Sequence, residues 1–173
     1  MTGDAIVLRA LTDADVDAHN AGEDEETIRW LTGEPGTVDT TRRHFARLAQ
    51  NAARGRGARG FGVWLDGRLA GFVEYDPDNG DLPRQGDVNV SYAVHPWARR
   101  RGVAAAAVEL LCARLTAGGV ARRAVIRTEP ANVGSVGVAR RCGFGLCGVQ
   151  ESATDRHPDG TAVRYAVYAR KLR

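Results

Sequence analysis

The sequence contains one lysine, one methionine and no long apolar run. Lys171 is the only lysine, so arginine supplies nearly all of the 24 basic residues. No apolar run approaches the ~18 residues that a membrane-spanning helix needs. The three cysteines, Cys112, Cys142 and Cys147, lack the paired short spacing of a zinc site. We therefore expect a soluble protein with reduced thiols, no bound metal and no membrane span.

The N-terminus of the chain indicates where the protein is located, and the length indicates how many domains it forms. Residues 1–7 lack a basic region followed by the apolar stretch of roughly 7–15 residues that a secretory signal requires. This absence predicts a cytoplasmic protein. A length of 173 residues with 43% hydrophobic residues is typical of one domain with one sizeable core. We expect residues 1–173 to form that single domain.

Charge is distributed unevenly along the chain, although the formal net charge is only +3. Residues 1–40 hold ten acidic residues against two arginines, and residues 95–145 hold nine arginines against two glutamates. Because local charge chooses binding partners more than net charge does, the second region is expected to attract anions and the first to attract cations.

One basic segment, Arg54–Gly60, has the composition of an RNA-binding Arg-Gly tract. It lies between a predicted helix and a predicted strand, however, and has no interleaved aromatic residues. We interpret it as a connecting loop, and we expect no nucleic-acid partner.

Hydrophobic periodicity predicts strands that alternate with helices throughout the chain. Strands are expected at 6–9, 61–65, 69–74, 87–94 and 123–128, with two more around Pro158–Gly160. Helices are expected at 14–19, 40–53, 102–118 and 132–141, with a further helical turn at 25–31. The pattern predicts an α/β (α+β) fold of about six to seven strands and about four helices.

The most informative segment runs from Val94 to Ala104 and connects a predicted strand to a predicted helix. Backbone N–H groups in such a loop, together with the positive end of the helix dipole, can bind a pyrophosphate. Gly102 allows a ligand to approach the backbone closely. This segment is therefore predicted to bind a phosphorylated ligand.

A second element, Asn132–Ser135 with Gly143-Phe144 closing the helix, follows downstream at a matching position. With these two elements the chain resembles the GNAT superfamily of N-acetyltransferases. Leu8–Thr12 and Ile28–Leu31 are similar to the branch that contains the ribosomal-protein N-acetyltransferases. The resemblance covers nearly the whole chain, and it implies a mixed, mostly antiparallel twisted sheet with a splayed strand pair that holds the cofactor.

The resemblance also implies acetyl-coenzyme A as co-substrate, without a metal. The residues that it assigns to the cofactor are Tyr92, Ala93, Val94, Arg99, Arg100, Arg101, Gly102, Val103, Ala104, Asn132 and Ser135. Helix capping is the alternative role of both Asn132 and Ser135, and for Asn132 the two roles can coexist.

Two departures from the family pattern bear on catalysis. Many relatives place a tyrosine proton donor where this chain has Ala139, and relatives of the ribosomal-protein type are thought to use the serine that corresponds to Ser135. A glutamate base is frequent in that branch at the position of Asn89, which cannot act as a base. The resemblance implies Ser135 as the acid. Of the remaining carboxylates at strand ends, Glu74, Glu151 and Asp87, Glu151 is favoured as the base, followed by Glu74, and a solvated surface charge is the alternative for each.

The implied reaction is acetyl transfer to a primary amine. The acidic segment Glu23–Glu26 favours a cationic acceptor, such as a protein N-terminal or other protein amine. A small molecule such as an aminoglycoside or a polyamine is the alternative acceptor. A non-catalytic coenzyme A-binding regulator is a further alternative, because the expected tyrosine and glutamate are missing. No membrane partner is expected, and the resemblance leaves a homodimer open.

Overall fold

The computed structural model describes residues 5–173. The strands are β1 Ile6–Arg9, β2 Arg59–Leu65, β3 Arg68–Asp76, β4 Asp87–Val94, β5 Arg123–Thr128, β6 Gly145–Arg156 and β7 Ala162–Lys171. The α-helices are α1 Val16–Asn20, α2 Glu25–Thr27, α3 Val38–Arg54, α4 Val103–Ala117 and α5 Val133–Arg141. Short 3-10 helices lie at Asp13–Asp15 and Pro96–Ala98, and α2 continues into a π-helical turn at Ile28–Thr32.

The seven strands form a single sheet in the order β1-β2-β3-β4-β5-β7-β6. Every neighbouring pair is antiparallel except β4 and β5, which are parallel. The prediction of a mixed, mostly antiparallel sheet is therefore confirmed. The described residues form five α-helices, where about four were expected, because the short turn at α2 is helical.

The turn between β2 and β3 shows how local chemistry sets the register. Asp66 and Gly67 have φ angles of 49° and 82°, as a two-residue hairpin turn requires. This turn places Leu65 opposite Arg68, and a bulge at Val63 and Trp64 shifts the register further along the pair.

The sheet buries a different set of side chains on each face. On one face, α4 packs Val108, Leu111 and Leu115 against alternate strand residues, and this forms the main core cluster. On the other face, α1 and α3 cover β2 and β3 and bury residues such as Phe45 and Leu48. The side chains alternate between the two faces because successive residues of a strand point to opposite sides.

The parallel pair β4 and β5 separates shortly after it begins. Only Asp87–Asn89 pair with Arg123–Val125, and beyond these residues the two strands continue without pairing to each other. The backbone of Val90–Val94 therefore has no strand partner on the β5 side. This opening in the sheet positions the site described below.

Candidate active site at the opening between β4 and β5

A cleft of about 630 Å³ fills the opening between β4 and β5. Its lining includes every residue of Val90–Val94, and it reaches both faces of the sheet. Tyr92 and Ser135 line it on the face covered by α4 and α5, and Ser91 and Arg127 line it on the other face. The cleft therefore passes through the sheet, so that two groups can approach one point from opposite sides.

The loop before α4 forms one end of the cleft. Arg100 and Gly102 have φ angles of 60° and 78°, so the chain turns through the left-handed region twice within three residues. The first helical hydrogen bond of α4 runs from the N–H of Ala106 to the carbonyl of Gly102 at 3.0 Å. The N–H groups of Val103 and Ala104 precede that bond, and both residues line the cleft. This arrangement fits a pyrophosphate, as the sequence predicts.

The side chain of Arg99 is occupied within the protein. Its Nε donates to the carbonyl of Val94 at 2.9 Å, and its terminal nitrogens donate to Asp24 at 2.6 and 2.8 Å, to Glu26 at 2.8 Å and to Thr27 at 3.2 Å. These five hydrogen bonds equal the number of N–H groups in a guanidinium. Arg99 therefore holds the loop against α2, and this geometry does not support the predicted contact of its side chain with the pyrophosphate.

Arg101 lies outside the residues that line the cleft, and its assignment to the cofactor stays a prediction. The other predicted cofactor residues do line it: Tyr92, Ala93, Val94, Arg99, Arg100, Gly102, Val103, Ala104, Asn132 and Ser135.

The acidic segment Glu23–Glu26 is also used within the fold. Asp24 caps α2 by accepting from the N–H of Thr27, and its hydrogen bonds with Arg99 hold the pKa of its carboxyl well below the usual range. Glu23 accepts from the N–H of Gly36 at 2.6 Å, and Glu26 pairs with Arg99. Three of these four carboxylates therefore have structural partners, with Arg99 as their one cationic partner, and the role of the segment in attracting a cation stays a prediction.

Ser135 and Tyr92 meet across the cleft. The Tyr92 hydroxyl lies 2.9 Å from Ser135 Oγ and 3.3 Å from the Ser135 carbonyl oxygen. The Asn132 side chain caps α5 by accepting from the Ser135 N–H at 3.1 Å, so the Ser135 hydroxyl is not the cap. Burial raises the pKa of Tyr92 to about 12, which keeps its phenol protonated. Tyr92 can therefore donate to Ser135 Oγ and leave the serine proton for a ligand.

Glu74 lies on the opposite face of the sheet and is held by a histidine. It pairs in register with Ser91, which lines the cleft, and directly opposed residues of an antiparallel pair share a face. His44 Nε2 lies 2.6 Å from Glu74 Oε1, and His44 Nδ1 lies 2.8 Å from a terminal nitrogen of Arg47. Because arginine can only donate, Nδ1 accepts, and the ring donates its Nε2–H to the Glu74 carboxylate.

Comparison with known protein families shows which family the chain belongs to. The family profile described as "Acetyltransferase (GNAT) domain" matches residues 5–145. The chain belongs to the GNAT acetyltransferase family. It is an N-acetyltransferase whose co-substrate is acetyl-coenzyme A. A comparison with curated protein sequences found no significant match.

Solved structures show the same GNAT fold. The ribosomal L7/L12 α-N-protein acetyltransferase RimL in complex with coenzyme A is 22% identical, with a TM-score of 0.79 over 96% of this chain and 94% of that chain. The Salmonella typhimurium acetyltransferase that modifies the N-terminal serine of L7/L12 is 22% identical, with a TM-score of 0.81 over 97% and 95%. The microcin C7 self-immunity acetyltransferase MccE, in complex with acetyl-CoA and AMP, is 17% identical, with a TM-score of 0.80 over 96% and 92%.

The two departures from the GNAT pattern have clear structural settings. Ala139 is fully buried in the core, and the phenol beside Ser135 comes instead from Tyr92 on β4. Asn89 lies at the last paired position of β4, and its buried Oδ1 has no hydrogen-bond partner among residues 5–173.

The other base suggested for this GNAT enzyme lies away from the cleft. Glu151 is exposed on β6, the edge strand, and pairs in register with Arg164 on β7. Neither Glu151 nor Glu74 lines the cleft, but Glu74 is the cross-strand neighbour of Ser91, which does.

Several polar residues that line the cleft were missed by sequence reasoning, and Arg127, Glu129 and Tyr165 are among them. Arg127 and Glu129 lie at the end of β5, where alternation along the strand could have indicated that they share a face beside the opening. No sequence signal identifies Tyr165, because β7 lies beside β5 only as a result of the strand order of the sheet.

Within residues 5–173, no helix is long and apolar enough to cross a membrane. The same residues contain no group of three or more histidine, cysteine, aspartate or glutamate side chains that could hold a metal ion.

Proposed function

We propose that this enzyme acetylates a protein N-terminal or other protein amine that enters from the face of the sheet bearing Ser91. The observation that carries this proposal is the cleft that reaches both faces of the sheet, with Ser135 in its lining on one face and, on the other, Ser91, whose cross-strand neighbour Glu74 is paired with His44. Amine acetylation needs a group that accepts a proton from the amine and a group that gives a proton to the leaving thiolate, and Glu74 and Ser135 are the candidates for these two roles. The fold shared with an enzyme that modifies an N-terminal serine supports a protein amine as acceptor.

The site residues divide the proton transfers between them. Bound acetyl-coenzyme A supplies the acetyl group as a thioester. Glu74, oriented by the Nε2–H of His44, accepts the proton that the amine must lose, directly or through water. Ser135 holds a proton at Oγ, and the Tyr92 hydroxyl stabilises that oxygen when the proton leaves.

The cofactor end of the cleft combines an open strand edge with an anion site. Val90–Val94 present unpaired backbone groups on the side of β4 that faces the opening. Arg100, Gly102 and the first turn of α4 provide the left-handed backbone and the free N–H groups for the pyrophosphate. Arg99 fixes this loop to α2 through Asp24.

A thiol-release assay with acetyl-coenzyme A tests the proposed function. The acceptors are a tripeptide amide with an N-terminal serine, an Nα-acetylated lysine peptide, spermidine and an aminoglycoside. Release with either peptide supports the proposal. Release with only spermidine or the aminoglycoside would identify a small-molecule enzyme, and tight coenzyme A binding without any release would indicate a regulatory protein.

Changing Glu74 to Gln is expected to lower kcat by about 100-fold or more, because general bases contribute about 10²–10⁴-fold to rate. Glutamine keeps the size of the side chain and can still accept from His44, so the fold and the cofactor affinity should not change. The matched control is Glu151→Gln, which removes the other base candidate and is expected to leave kcat unchanged. The assignment fails if Glu74→Gln turns over at the rate of the unmodified enzyme.

A further inference from the structure

The cleft has two carboxylates in its described lining, Glu26 and Glu129, and they differ in their surroundings. Glu26 pairs with Arg99 at 2.8 Å. Glu129 has no basic side chain within ion-pair distance among residues 5–173, although it is only partly exposed. Glu129 is therefore the uncompensated negative charge of this part of the cleft wall.

Glu129 is held in place by the turn that follows β5. Its carbonyl oxygen accepts from the N–H of Asn132 at 2.9 Å, and Asn132 itself caps α5. The residue before it, Thr128, is buried at the end of β5. The backbone at Glu129 is thus fixed between a strand and a helix, so its side chain starts from a defined point on the cleft wall.

The neighbouring Arg127 is not available to neutralise Glu129. Its terminal nitrogens are bonded to Asn79 at 2.7 Å, to Asp81 at 3.0 Å and to Asp155 at 3.1 Å, and its side chain is only 7% exposed. Its guanidinium also stacks 4.7 Å from the ring of Tyr165. Two carboxylates already share this single cation.

Tyr165 forms the wall next to Glu129. Its hydroxyl donates to Asp155 at 3.0 Å, and its ring lines the cleft. Burial is the main reason that its pKa rises to about 12, and the negative charges of Asp155 and Glu129 add to the rise. Tyr165 and Glu129 therefore both belong to the wall of this cleft.

A carboxylate on the wall of a cleft attracts a cationic group that enters the cleft. The proposed base, Glu74, pairs in register with Ser91, which lines the same cleft as Glu129. We propose that Glu129, beside Tyr165, receives the ammonium group of a protonated amine acceptor as it enters the cleft. This inference rests on the proposed function, and it replaces Glu23–Glu26 with Glu129 as the source of selectivity for a cation.

The test compares a cationic and a neutral acceptor in Glu129→Gln. The cationic probe is the tripeptide amide with an N-terminal serine, and the neutral probe is an acyl hydrazide, which is uncharged at neutral pH. The KM for the tripeptide should rise by about 10- to 100-fold, because hydrogen bonds to charged groups have this strength. The KM for the hydrazide and for acetyl-coenzyme A should not change.

Glu25→Gln is the matched control, because Glu25 is an exposed carboxylate of the acidic segment outside the cleft lining. Its KM for the tripeptide should equal that of the unmodified enzyme. An equal rise in KM for both probes in Glu129→Gln, or no rise for the tripeptide, would overturn the inference.

A binding measurement separates this inference from the proposed function. If the unmodified enzyme releases no thiol with any acceptor, the proposed function fails, and the tripeptide is then titrated calorimetrically into the coenzyme A complex. Binding that Glu129→Gln weakens tenfold or more still supports the ammonium site. Equal binding by both proteins, or no binding by the unmodified protein, overturns it.

Discussion

Changing Gly102 to Glu is expected to weaken acetyl-coenzyme A binding beyond detection, a loss of at least about 100-fold. The change puts a negative charge at the N-terminus of α4, where the free N–H groups of Val103 and Ala104 and the helix dipole favour an anion. A Cβ atom at this position has no neighbour within 4 Å, so the side chain itself meets no obstacle. The left-handed φ of 78° adds a strain of about 1–2 kcal/mol for a residue other than glycine.

Calorimetric titration of acetyl-coenzyme A measures this loss, and circular dichroism checks that the variant is folded. Gly102→Asn is the control, because asparagine tolerates the left-handed region and carries no charge. It should keep its affinity to within about tenfold. Normal affinity in Gly102→Glu would show that this loop does not bind the pyrophosphate.

Changing Ser135 to Ala is expected to lower kcat by about 10²–10⁴-fold while the affinity for acetyl-coenzyme A stays the same, because a proton donor acts mainly in the transition state. The variant is a clean test of the hydroxyl. Asn132 caps α5 through the backbone N–H of Ser135, and alanine retains that N–H. The measurements are steady-state kinetics and a cofactor titration on the same preparation.

Tyr92→Phe tests the role of Tyr92 as the hydrogen-bond partner of Ser135. Its kcat should fall less than that of Ser135→Ala, since phenylalanine leaves the serine hydroxyl in place and removes only the tyrosine hydroxyl, with its contacts at 2.9 Å to Ser135 Oγ and 3.3 Å to the Ser135 carbonyl oxygen. The double variant should be no slower than Ser135→Ala, because residues that act as a unit are not additive. Full turnover by Ser135→Ala would leave the proton donor to another group.

Features that depend on neighbours in the sequence could be predicted. The strand at 123–128 has the expected bounds, because alternation and the flanking polar residues define it locally. The hairpin turn at Asp66-Gly67 follows from the left-handed conformations that these residue types tolerate. The loop before α4 is recognisable because Gly102 and the helix start lie within a few residues of each other.

Features that depend on distant pairing could not be predicted. Arg99 looks like an anion-binding residue in sequence, but its partner Asp24 lies 75 residues away and accepts two of its five hydrogen bonds. Glu74 and His44 are separated by 30 residues, so nothing in the sequence marks them as a pair. Glu129 stands out as a binding residue only because Arg127 pairs with Asp81 and Asp155. The fold brings these two residues to Arg127 from the loop between β3 and β4 and from β6.

The opening between β4 and β5 also affects how fast the protein is degraded. Val90–Val94 pair with β3 on one side only, so a ligand bound in the opening adds contacts that the folded protein alone lacks. A ligand that binds only the folded state raises the free energy of unfolding, by about 2.7 kcal/mol at a concentration 100 times its Kd. Proteases attack the opened form in proportion to its population. A cell depleted of the acetyl donor would therefore clear this enzyme faster, and turnover of the protein would follow the supply of its own substrate.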